Sequence, residues 1–116
     1  MKRIDKLNQN LRYWQVLLNL QSWKLDIKLV EFDRPDWPQS GDIEVDLNNK
    51  KATILLSKAE TGKDSAIILH ELVHLIFWEY DRFCAENIPE NKKKEYFDHL
   101  EKTIAVLSNI FIQKDK

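Results

Sequence analysis

The stretch AIILHELVHLIFW, residues 66–78, is the longest apolar segment of the chain and decides its fold. It is too short to span a membrane, because a spanning helix needs about 20 apolar residues. His70, Glu71 and His74 are the only strongly polar side chains within it. Burying such groups without partners costs several kcal/mol, so a shared role is expected for the three. With Asp64 as a cap, the segment predicts a buried helix over 64–79.

The segments before this helix show the helical period, an apolar residue every three or four positions, and the strand period of two. Apolar residues recur every three or four positions from Ile4 onward, which predicts an amphipathic helix ending near Leu20. Two prolines and a glycine in 34–41 predict an irregular loop. Apolar and polar residues alternate in three further segments, which predict one strand and a β-hairpin: 23–29, 42–47 and 51–57.

After the apolar helix, a second helical stripe predicts a last helix over 90–112. The stripe consists of five apolar residues: Phe97, Leu100, Ile104, Leu107 and Phe111. The expected fold class is therefore α+β: an N-terminal helix, a small and mostly antiparallel three-stranded sheet, the apolar helix and a C-terminal helix. A length of 116 residues predicts one domain spanning 1–116.

Charge and composition exclude several classes of function. The chain carries 18 Lys+Arg against 19 Asp+Glu, a formal charge of -1, so it lacks the basic field that binds nucleic acid. Cys84 is the single cysteine, which excludes an intrachain disulfide or a cysteine-rich metal cluster and fits a reducing compartment. The first 20 residues contain no apolar stretch typical of a signal peptide, so a cytoplasmic protein without a membrane span is expected.

The sequence His70-Glu71-Leu72-Val73-His74 predicts a zinc site. Its two imidazoles lie one helical turn apart, about 6 Å along the axis, and on the same face. Zinc is bound tetrahedrally, and in hydrolytic sites three protein ligands leave the fourth position to water. Glu71, one step round the helix, is placed to take the proton of that water and deliver it to the leaving group. The motif therefore predicts hydrolytic chemistry.

In this motif and in the order of its elements, the chain resembles the zincin metallopeptidases. The resemblance is to the smallest single-domain members, called minigluzincins, and their phage and bacterial relatives. It implies a short sheet above the helix that carries the motif, with an edge strand that pairs with an extended peptide. Either strand of the hairpin, 42–47 or 51–57, could be that edge.

The same resemblance implies that a glutamate on a following helix is the third zinc ligand. The metzincin pattern is excluded, because Phe77 and Tyr80 stand where it requires Gly and His. Glu101 lies about 90° from the centre of the apolar stripe of the last helix and Glu95 about 150°, which favours Glu101. Glu95 is closer to the usual distance after the second histidine, and stays the alternative. Five glutamates are candidates by position: Glu79, Glu86, Glu90, Glu95 and Glu101.

The resulting hypothesis is a zinc-dependent peptidase with one Zn²⁺ held by His70, His74 and Glu101, in which Glu71 activates the attacking water. Its expected partner is a peptide or protein substrate bound in extended form. The alternative is a zinc-binding phage or host regulatory protein that acts by binding, with restricted proteolysis or none. The resemblance also implies a group that stabilises the oxyanion, for which the sequence offers Tyr80, Tyr96 and His99 without selecting one.

Overall fold

The computed structural model describes residues 2–32, 41–59 and 62–114, which contain four α-helices and one three-stranded sheet. The elements in chain order are α1 (Arg3–Leu17), β1 (Lys24–Val30), β2 (Gly41–Asp46), β3 (Lys51–Ser57), α2 (Asp64–Ile76), α3 (Trp78–Asn87) and α4 (Lys93–Lys114). A short 3₁₀ turn, Glu90–Lys92, precedes α4. The prediction of an α+β fold with an N-terminal helix, then the sheet, then further helices, is confirmed.

The chain divides into two compact units, Met1–Leu72 and Val73–Lys116. The first unit holds α1, the sheet and most of α2. The second holds the end of α2 together with α3 and α4. The division falls inside α2, which is one continuous helix.

In the first unit, α1 buries the apolar stripe that its sequence period predicts. Leu7, Leu11 and Trp14 are completely buried, and α1 contacts β1. The helix ends at Leu17, three residues before the predicted end, and Asn19 follows with a φ of 60°. Asparagine tolerates this left-handed conformation better than most residues, so it turns the chain toward β1.

The sheet has the strand order β1-β3-β2, with β3 in the centre. β2 and β3 form the predicted antiparallel hairpin, whereas β1 and β3 pair in parallel, so the sheet is mixed. Because β3 is paired on both sides, β2 is the strand of the hairpin that lies at an edge of the described sheet, and β1 forms the other edge. The alternative that 51–57 is the edge is wrong.

One face of this sheet is apolar, as the alternation predicts. Ile43 of β2 is paired with Ile54 of β3, and both are buried. Gly41 lies two residues before Ile43 and therefore in the same inward phase, opposite Leu56. The sequence assigned Gly41 to the end of a loop, but it is the first residue of β2. The rest of that predicted loop lies outside the described residues.

Contacts at its first turn position α2. Arg3 of α1 forms two hydrogen bonds to the carboxylate of Asp64, at 2.9 and 3.0 Å. The same guanidinium donates to the carbonyl oxygens of Ser57 and Lys58 at the end of β3. The Trp14 indole also donates to the Ser65 hydroxyl at 2.9 Å. Arg3 therefore joins α1, β3 and the start of the helix that carries the motif.

Substitution Arg3→Ala is expected to lower the free energy of unfolding by about 2 kcal/mol, because it removes charge-assisted hydrogen bonds and leaves Asp64 without this cation. Urea unfolding of the metal-free chain measures the change. Lys2→Ala is the control, because Lys2 is exposed. Equal stability of the two variants would contradict the role given to Arg3.

In the second unit, the secondary structure after the motif differs from the prediction. The predicted helix over 64–79 ends at Ile76, Phe77 forms a turn, and a separate helix, α3, begins at Trp78. α3 has no buried residue, so it lacks the apolar stripe by which a helix is detected in sequence. The last helix, expected over 90–112, runs over Lys93–Lys114, with Ile104 completely buried.

Among the described helices, none combines the length and the apolar character that crossing a membrane requires.

Candidate metal centre

The three polar residues of the motif lie on α2 and differ in their burial. Glu71 is buried, with 8% of its surface exposed, whereas His70 and His74 are half-buried. The two histidines are four positions apart on one continuous helix, so their imidazoles lie on the same face, about 6 Å apart along the axis. The expected arrangement of two histidines on one face, with an acid beside them, is therefore present on α2.

Glu101 of α4 contacts the second histidine. Within the second unit, Oε1 of Glu101 lies 3.0 Å from Nε2 of His74. Their side chains are 58% and 21% exposed, so this pair is reached by solvent. The structure thus brings together two residues that are separated by 27 positions in the sequence.

The three donor atoms are of kinds that bind zinc, and the separation of those of His74 and Glu101 is close to that of two zinc ligands. Each histidine offers an imidazole nitrogen and Glu101 offers a carboxylate oxygen, all of which are zinc donors. Two ligands of a tetrahedral zinc, each about 2.0–2.1 Å from the ion, must lie about 3.3 Å from each other. The 3.0 Å between His74 and Glu101 differs from this by a few tenths of an ångström. A small adjustment of side chains would let both atoms bind one ion.

The other glutamates that the sequence offered show no contact with a motif histidine among the described residues. Glu95 lies 3.6 Å from Nζ of Lys92, and Glu90 lies 2.9 Å from Nζ of Lys93. Glu79 and Glu86 are exposed residues of α3. Of the five, Glu101 is the one for which a contact with a motif histidine is found among the described residues.

The structure adds a residue that the sequence did not single out. Gly41, the first residue of β2, lies beside the carboxylate of Glu71. A Cβ placed on Gly41 would be 3.4 Å from Oε2 of Glu71 and 2.5 Å from Cγ2 of Ile67. The sequence signal was a glycine, one of two in the chain, in the inward phase of a strand. Its importance becomes visible only when β2 and α2 are seen together.

The residues considered for the oxyanion are placed as follows. The Tyr96 hydroxyl donates to Oδ1 of Asp81 at 2.8 Å. Burial, followed by this hydrogen bond, raises the pKa of Tyr96 well above its usual range. A hydrogen bond with Cys84 raises the pKa of Tyr80, and His99 is exposed. Both phenols therefore stay protonated at neutral pH, and no contact among the described residues selects one of the three for this role.

Comparisons with protein-family models, with curated proteins and with solved structures found no match to this chain. The function is therefore inferred from the chemistry and placement of these side chains.

Proposed function

We propose that this protein is a zinc-dependent peptidase in which His70, His74 and Glu101 hold a single Zn²⁺. The observation that carries the proposal is the 3.0 Å contact between His74 and Glu101, on a helix where His70 lies one turn before His74. An ion pair alone would not require a second histidine on that face or a buried acid between the two. Three protein donors also leave a fourth zinc position open, which is typical of catalytic sites.

Glu71 is the proposed general base. When bound, zinc supplies a Lewis acid that polarises a substrate carbonyl and lowers the pKa of water to about 7. Glu71 takes the proton of the attacking water as its oxygen bonds to the carbonyl carbon, and then passes that proton to the nitrogen of the leaving amine, so that the C–N bond breaks in the following step. Its burial restricts the carboxylate to few orientations, which favours proton transfer along a defined path.

The proposed substrate is a peptide in extended conformation that pairs with β2. This strand is an edge of the described sheet, and its first residue lies beside Glu71. Pairing through backbone hydrogen bonds would align different peptide sequences in the same way. The first unit thus offers an edge strand and the proposed base close to each other.

The choice of the third ligand is tested by a matched pair of variants on α4. Glu101→Gln is expected to weaken zinc binding about 100-fold, because a neutral amide is a much poorer zinc ligand than a carboxylate. Glu95→Gln makes the same chemical change on the same helix, and is expected to leave the affinity unchanged. Zinc per chain by mass spectrometry, and affinity by competition with a chromogenic chelator near neutral pH, measure both.

Two results would contradict the proposal at this point. Loss of zinc in Glu95→Gln with full retention in Glu101→Gln would assign the ligand to Glu95. A wild-type chain that takes up no zinc when the metal is supplied would reject the zinc site itself.

A further inference from the structure

The first residue of β2 breaks the apolar pattern of the sheet's inner face. Ile43 and Val45 occupy the inward positions of this strand, and Gly41 occupies the next inward position toward its start. Strand interiors disfavour glycine, because it has no side chain to pack and loses more backbone entropy than other residues. Glycine at an inward position therefore indicates that another group approaches the backbone closely.

The group that approaches is α2, at the position of the proposed base. A Cβ on Gly41 would lie 2.5 Å from Cγ2 of Ile67, whereas carbon atoms in contact are normally about 3.5–4.0 Å apart. It would lie 3.4 Å from Oε2 of Glu71, which is an ordinary van der Waals contact, so the clash is with Ile67. Ile67 and Glu71 are one turn apart on α2, so any larger residue at position 41 would push this turn of the helix or the strand aside.

We propose that Gly41 is a positioning residue for Glu71: by lacking a side chain, it lets β2 pack against Ile67 and so fixes the turn of α2 that carries the carboxylate of Glu71. The inference rests on the proposed peptidase function. It goes beyond that function because it assigns a catalytic consequence to a residue that neither binds zinc nor transfers a proton. Gly41 thereby links β2, which would align the peptide, with Glu71, which would activate the water.

The expected consequence is specific to the chemical step. Displacing a catalytic group by about 1 Å costs on the order of 100-fold in rate, because the reacting atoms are no longer aligned. Gly41→Ala is therefore expected to lower kcat about 10- to 100-fold, with little change in KM. Zinc affinity is expected to fall by less than kcat, because His70 lies in the displaced turn but His74 and Glu101 lie outside it.

The experiment tests whether the clash with Ile67 is what displaces Glu71. Gly41→Ala, Ile67→Ala and the double variant are compared for zinc affinity, for melting temperature without zinc, and for kcat and KM on an unstructured peptide. The first variant is expected to melt about 5 °C or more below wild type, because the added methyl overpacks the interior. In the double variant, alanine at position 67 makes room for the methyl. Adding Gly41→Ala to Ile67→Ala should therefore lower the melting temperature by less than adding it to the wild type. Its kcat should recover toward that of Ile67→Ala, because the added methyl then makes only an ordinary van der Waals contact with the carboxylate of Glu71.

Gly62→Ala is the control for a loss of stability alone. Gly62 has a φ of 75°, and a Cβ there would meet no atom within 4 Å. This variant is expected to melt at a lower temperature and to keep its kcat. A wild-type kcat in Gly41→Ala, or a kcat in the double variant that stays as low as in Gly41→Ala although the melting temperature recovers, would overturn the inference. A wild-type chain that binds zinc but cleaves no peptide would reject the proposed function, and the inference with it.

Discussion

Replacing His74 with alanine is expected to abolish zinc binding at micromolar metal, with an affinity loss of about 1000-fold. Structural zinc sites bind with about 10–16 kcal/mol shared among their ligands, so one ligand contributes roughly 4 kcal/mol, and each 1.4 kcal/mol is a factor of ten. The loss is larger than that expected for Glu101→Gln, because alanine leaves no donor atom at all. His74 is also the residue that contacts Glu101, so both the second and the third proposed ligands are affected.

Thermal unfolding gives a second measurement of the same variant. A ligand present at 100 times its dissociation constant stabilises the folded state by about 2.7 kcal/mol, which raises the melting temperature by roughly 10 °C in a chain of this size. Zinc should produce this shift in the wild type and none in His74→Ala. His99→Ala is the matched control, because His99 is an exposed histidine of α4. If both variants kept the zinc-dependent shift, His74 would not be a ligand.

Substitution Glu71→Gln is expected to leave zinc bound and to lower kcat by about 1000-fold. The amide has nearly the shape of the carboxylate, so it fits the same buried position, but it cannot accept a proton at neutral pH. General base catalysis contributes about 100- to 10,000-fold to enzymatic rates, which sets the size of the loss. The measurement is kcat on an unstructured peptide at saturating zinc, with metal content determined on the same sample.

The control for this variant is Glu95→Gln, which makes the same change at an exposed glutamate and should retain full activity. Wild-type rates in Glu71→Gln would show that Glu71 is not the base. The same variant separates the peptidase from a regulatory protein that acts by binding. A stable complex with one partner protein, formed equally by wild type and Glu71→Gln in the absence of cleavage, would favour the regulatory alternative.

The sequence predicted those elements whose apolar residues face the interior. The stripe of α1 and the alternation of the hairpin strands were visible because burial imposes a regular period on neighbouring residues. α3 was missed because none of its residues is buried and its sequence therefore carries no such period. Of the candidate site, the spacing of His70, Glu71 and His74 was readable because one turn of one helix defines it.

The sequence by itself determined the α+β class, the two strands of the hairpin and the helical face that carries the two histidines, with Glu71 one step round the helix. The tertiary structure decided that β3 is the central strand, that Glu101 rather than Glu95 contacts His74, and that Gly41 lies beside Glu71. The physical reason is the range of the interactions. Periodicity and helical spacing arise between residues a few positions apart, whereas these three contacts join segments that are distant in the chain and meet only when it folds.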